Sequence, residues 1–155
     1  MKAINLDGTI KIYGSIPKDW SNVVGGFNTL SSSDLETYGF YDIVIPTITE
    51  SQELGDIEWD LDNSVFTYPV QSKVFSQSLA EMKAQKIENL KSIYVQELAK
   101  TDWIIIRDQE LGNTTDSDIA SSRAGLRSDC TTHENSINSK TTKAQVADYS
   151  LPNFI

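Results

Sequence analysis

The sequence predicts an α+β fold: a small antiparallel β-meander unit at the N-terminus, then a long amphipathic helix and helical hairpin, then an extended C-terminal tail. Three observations predict it. Apolar and polar residues alternate up to about residue 70, apolar spacing switches to three and four from about Lys73, and beyond Cys130 the chain turns rich in Thr, Ser, Asn and Lys. The resulting segments are an acidic antiparallel β unit over 1–71, a helical hairpin over 72–130, and a polar tether with an apolar end over 131–155.

Lys2 to Gly14 reads as a β-hairpin, with Asp7-Gly8 as a two-residue turn between Ala3-Ile4-Asn5-Leu6 and Thr9-Ile10-Lys11-Ile12-Tyr13. From Ile16 the chain is irregular; Gly25-Gly26 bends it, and Ser31 to Ser33 cap a short helical turn over Asp34-Leu35-Glu36 that Gly39 ends. Phe40 to Ile45 is β-branched and aromatic, and Pro46 stops it. Leu54 to Leu61 alternates, with Ile57, Trp59 and Leu61 opposite Asp56, Glu58, Asp60 and Asp62; Asp62-Asn63 turns the chain into Val65 to Val70. One wet face of this kind is the antiparallel habit.

From Lys73 to Lys100 the residues Ala80, Ala84, Ile87, Leu90, Tyr94 and Leu98 form one apolar stripe, which predicts a helix about 40 Å long. That is more than a small β unit needs for cover, so two readings stay open: a lid for its own sheet, or a surface for another chain. Thr101 to Asp108 is a compact apolar elbow, and Thr115-Asp116-Ser117-Asp118 opens a second helix carrying Ile119, Arg123, Leu126 and Arg127. Past Cys130 the polar segment is expected to be mobile by itself, before Tyr149, Leu151, Pro152, Phe154 and Ile155 turn apolar again.

The formal net charge is −9 over 155 residues, and it is uneven. Residues 1–70 hold eleven Asp/Glu against three Lys/Arg, and residues 71–155 hold eleven against ten. Nucleic-acid binding rests on clustered cations. Here Lys83, Lys86 and Lys91 are interleaved with Glu81 and Glu88, so no nucleic-acid partner is expected. With 39% hydrophobic residues the chain can bury a core, yet no run approaches the ~18 apolar residues of a membrane span. A polar start over Met1 to Gly8 predicts no signal peptide and synthesis in a cytoplasm. Cys130 is the single cysteine, which rules out an internal disulfide.

No catalytic, cofactor or metal residues are assigned. Asp56, Glu58, Asp60 and Asp62 would share a strand face, but a calcium loop counted from Asp56 has Leu61 where glycine is needed and Thr67 where a bidentate acid is needed. A solvated acidic face is the simpler reading. Paired glycosidase acids also need a cleft, which one strand does not supply. Cys130 and His133 have a Cys-x-x-His spacing, but structural zinc takes about four ligands and the chain holds no other Cys or His. Arg123 and Arg127, four residues apart on one helical face, are expected to pair with Asp116, Asp118 or Asp129, a contact to another chain being the alternative.

Residues Ile16-Pro17-Lys18-Asp19-Trp20, Phe27-Asn28, Leu30, Leu35, Gly39-Phe40-Tyr41 and Val65 to Val70 resemble the N-terminal region of small proteins encoded among phage tail and baseplate genes. The stretch Leu98-Ala99-Lys100-Thr101-Asp102-Trp103, through Ile119, Arg123 and Leu126-Arg127, resembles the helix, Thr-Asp-Trp elbow and Arg-containing helix at the C-termini of phage tail-fibre and tail-assembly proteins. The likeness covers roughly residues 16–130. Thr115-Asp116-Ser117-Asp118 stands where such proteins often carry a proline, and this chain runs on past Cys130.

The resemblance implies a non-enzymatic tail, baseplate or tail-fibre component, held in the virion in multiple copies, with other phage tail proteins as partners and no membrane. A tail-fibre assembly chaperone that leaves the virion is the alternative. Partner contacts are expected at Ile87, Leu90, Tyr94, Leu98, Trp103, Leu151, Phe154 and Ile155.

Overall fold

The computed structural model describes residues 1–154, and its fold is α+β. Two compact units divide it, Met1–Lys73 and the residues from Val74 onward, so the segment expected to form a separate tether after residue 130 belongs to the second unit.

In the first unit, β1 (Lys2–Leu6) and β2 (Thr9–Tyr13) form the expected hairpin, paired from Leu6↔Thr9 to Lys2↔Tyr13. Asp7 and Gly8 have φ of 52° and 86°, the double left-handed turn that matches the twist of the flanking strands. A single 3₁₀ turn (Phe27–Thr29) and α1 (Ser32–Thr37) follow; Ser31 caps α1 by accepting from the Asp34 amide. The other strands are β3 (Tyr41–Val44), β4 (Gln52–Leu54), β5 (Glu58–Asp60), β6 (Val65–Thr67) and β7 (Val70–Ser72).

The sheet is not a simple antiparallel meander. Its order is β2-β1-β3-β6-β5, with β3 and β6 parallel, while β4 and β7 pair separately. Two backbone breaks cause this. Gly55 splits the expected Leu54–Leu61 strand, because its amide donates to the Pro69 carbonyl at 2.8 Å and a Cβ there would lie 2.5 Å from Gln71 Nε2 and 3.0 Å from Pro69 Cγ. Pro69, which has no amide hydrogen to give a ladder, separates β6 from β7.

Cross-strand partners share a face. Ala3, Ile10, Ile12, Tyr41, Ile43, Trp59 and Phe66 therefore lie on one side, and Lys2, Ile4, Lys11, Tyr13, Asp42, Glu58, Asp60 and Thr67 on the other. Ile4 and Tyr13 meet Phe27, Leu35 and Phe40 in the main core, where the Trp20 and Phe40 rings stand edge to face at 4.8 Å. On the opposite side, Trp59 packs against Tyr41 at 4.5 Å and Phe66 at 5.0 Å.

In the second unit, α2 (Leu79–Ala99) begins at a capping box in which Ser78 and Glu81 satisfy each other's amides, six residues later than the apolar spacing predicts. The expected apolar elbow is itself a helix, α3 (Asp102–Glu110). Asp116 caps α4 (Ser117–Asn138) by accepting from the Asp118 amide at 2.8 Å.

The polar segment past Cys130 is not an extended tether. It continues α4 to Asn138, because Ile137 is buried against Leu90 and Tyr94 while Thr131, Thr132 and Ser136 return their hydroxyls to carbonyls one turn earlier. A second capping box, Thr142 with Gln145, starts α5 (Lys143–Ala147), whose Val146 and Ala147 pack on Met82. Composition alone misses this, since one buried apolar residue per few turns suffices when the helix has a partner.

Candidate interaction site

The site is built on α2, α3 and α4. α2 packs along α4, and Leu90, Tyr94 and Ile137 form the interior, with Ile87, Leu126, Cys130, Tyr149, Leu151 and Phe154 around them. Leu90 is 0% and Tyr94 2% exposed, so these two are internal contacts and not partner contacts. Ile87, Leu151 and Phe154 are partly spent in the same way, Phe154 standing edge-on to Tyr94 at 5.2 Å. The apolar stripe of α2 covers its own helical unit; it is matched by α4 and by Tyr149, Leu151 and Phe154. Ile155 lies outside the described residues.

Polar groups complete this interior. The Tyr94 hydroxyl donates to Asp129, and burial together with that carboxylate pushes the phenol above its ordinary range. His133 Nδ1 lies 2.7 Å from the Tyr149 hydroxyl, and burial raises the Cys130 thiol, which disfavours the nucleophilic thiolate. In the first unit, Asp60 accepts from the Asp62 and Asn63 amides and the Asn63 side chain, contacts that hold its carboxyl below the usual range. That acid serves a turn. Among the described residues, no cluster of three or more His, Cys, Asp or Glu is placed to hold a metal ion.

Arg123 is the residue whose role the sequence misassigns. Instead of pairing with acids of its own helix, its guanidinium reaches the elbow: Nη1 donates to the Leu98 carbonyl at 2.7 Å and to Thr101 Oγ1, and Nη2 donates to Asp102 at 2.7 Å. One fork thus adds to the Leu98 carbonyl, which also accepts from the Thr101 amide and hydroxyl, and ties the last turn of α2 to the start of α3. Arg123→Lys keeps the charge and loses the fork. It is expected to lower stability by about 1–2 kcal/mol in urea titration; a variant as stable as the parent would show that the fork does not hold the elbow.

What the elbow presents is apolar. Trp103 is 58%, Ile106 55% and Leu111 66% exposed. Arg107 lies over the Trp103 ring at 5.1 Å while its Nε and Nη2 bind buried Asp108, which fixes the flank of this face. Trp103 is thus the expected contact residue left in the open, and Ile106 and Leu111 join it. The run Ile104-Ile105-Ile106 carries the signal for Ile106, because three consecutive residues of a helix cannot all face one way. Beside the elbow, Leu98 shares with Lys91, Tyr94, Val95, Arg127 and Cys130 a groove of about 240 Å³ between α2 and α4.

The chain has no match among protein-family models, curated proteins or solved structures. No helix among the described residues is long and apolar enough to cross a membrane.

Proposed function

We propose that this chain is a non-enzymatic structural component of a phage tail, baseplate or tail-fibre assembly, docking on other tail proteins through the outer face of α3. The observation that carries the reading is the exposed Trp103 and Ile106 on a short helix held at its start by Arg123, with exposed Leu111 just past the helix end. Tryptophan and arginine together are the side chains that most often dominate protein–protein contacts, and a rigid support lowers the entropy lost on docking. The Thr-Asp-Trp resemblance supplies the tail context.

The same face on an acidic chain, with sequence pI near 4.5, also suits a chaperone that keeps an apolar fibre protein soluble. One experiment separates the two. Mass spectrometry of purified virions is expected to find the protein in several copies per particle, and particles grown with Trp103→Ser/Ile106→Ser are expected to lack it. Absence of the parent from virions overturns the structural reading and leaves the chaperone. Unchanged solubility and trimerisation of the neighbouring fibre protein without this chain would remove the chaperone as well.

A further inference from the structure

The five-stranded sheet ends in β2 on one side and β5 on the other, and neither outer edge pairs with a strand among the described residues. Such edges leave alternate backbone N–H and C=O groups unpaired. β2 contains no proline and its five pairs with β1 run without a bulge, so nothing in its backbone blocks further pairing.

The charges on the two edges are opposite. Lys11 is the only charged residue of β2; it is exposed, lies 5.4 Å from the Tyr13 ring, and has no ion pair among the described residues. β5 carries Glu58 and Asp60 around Trp59. Asp60 is committed to its turn, whereas Glu58 is exposed and has no ion pair among the described residues.

Strand direction and facing agree with the charges. β2 runs with β3 and β6, and β5 runs against them, so a second sheet placed edge to edge in the same orientation brings β5 antiparallel to β2. Lys11, Glu58 and Asp60 share one face, and Ile10, Ile12 and Trp59 the other. An antiparallel junction with Lys11 opposite Glu58 of the next copy sets Ile10 opposite its Trp59, joining cation to acid on one face and apolar to apolar on the other. The self-paired alternatives fail this test: β2 on β2 in full register opposes Lys11 to Lys11, and β5 on β5 opposes acids to acids.

We propose that copies of this chain associate head to tail through these edges, β2 of one against β5 of the next, to make a continuous sheet. A contact between two different surfaces does not close on itself as a pair. It produces a ring or a filament, according to the twist added at each junction. The inference concerns the purified chain alone and stands whether or not the tail reading does.

Sedimentation of the full chain at rising concentration is expected to show association that weakens with added salt. Lys11→Glu and Glu58→Lys are each expected to weaken it about five- to tenfold. The double variant K11E/E58K, in which the edges exchange charges, is expected to recover it. Both side chains are exposed, and circular dichroism checks that each variant keeps the fold. A chain that stays monomeric, association indifferent to salt or to K11E, or a double variant that fails to recover would each overturn the proposal.

Discussion

Replacing Leu90 by alanine is expected to destabilise the helical unit by about 2–5 kcal/mol. Leu90 is fully buried where α2, α4 and the segment carrying Tyr149, Leu151 and Phe154 converge, so the space it leaves is walled by three segments that cannot all move inward. The urea midpoint of the helical signal at 222 nm should fall accordingly. Amide hydrogens in 148–154 should also exchange faster, because Tyr149, Leu151 and Phe154 rest on the same cluster. Val95→Ala on the same helix is the control: Val95 is 63% exposed, and the change should stay within about 0.5 kcal/mol. Equal effects at the two positions would refute the shared interior described above.

Phe40→Ala is expected to remove about 3–5 kcal/mol from the N-terminal unit. The ring is fully buried and stands edge to face with Tyr13 at 5.3 Å, Trp20 at 4.8 Å and Phe27 at 5.3 Å, so its loss removes area and three oriented ring contacts at once. Trp20 fluorescence should shift to the red as its neighbour disappears, and hydrogen exchange over Lys2–Tyr13 should accelerate in step. A midpoint change worth less than about 1 kcal/mol would mean that this aromatic group does not hold the sheet against the 3₁₀ turn and α1.

The α+β class was legible because its signals are local. Asp7-Gly8 between alternating strands, Ser31 ahead of α1 and Asp116 ahead of α4 each act over two or three residues, and each forms the element expected of it. The parallel pairing of β3 with β6 was not legible, because it goes with β4 and β7, at either side of Gly55 and Pro69, pairing in a two-stranded sheet of their own, a choice between distant partners that no window of residues contains. The C-terminal third misled for a related reason. A composition of Thr, Ser and Asn suggests an unfolded chain, yet Ile137, Val146, Tyr149, Leu151 and Phe154 are enough to hold it once α2 supplies the opposing surface.

The interaction site divides along the same line. Period alone marks Leu90, Tyr94 and Trp103 as apolar residues on helices, but it cannot tell which of them another part of the chain will claim. Tyr94 is claimed by Phe154, which lies sixty residues further on, and Arg123 leaves its own helix to bind the elbow. Contacts at that separation emerge only from the assembled unit.

Arg123 lends the molecule a division of labour. Because the guanidinium is held by the Leu98 carbonyl in the last turn of α2, Thr101 and Asp102, the position of α3 is governed from beneath, and its outward side chains contribute little to keeping it there. Residues 103, 106 and 111 can therefore be rewritten as a set, and a library confined to them would change what the molecule recognises while the scaffold that carries them stays intact.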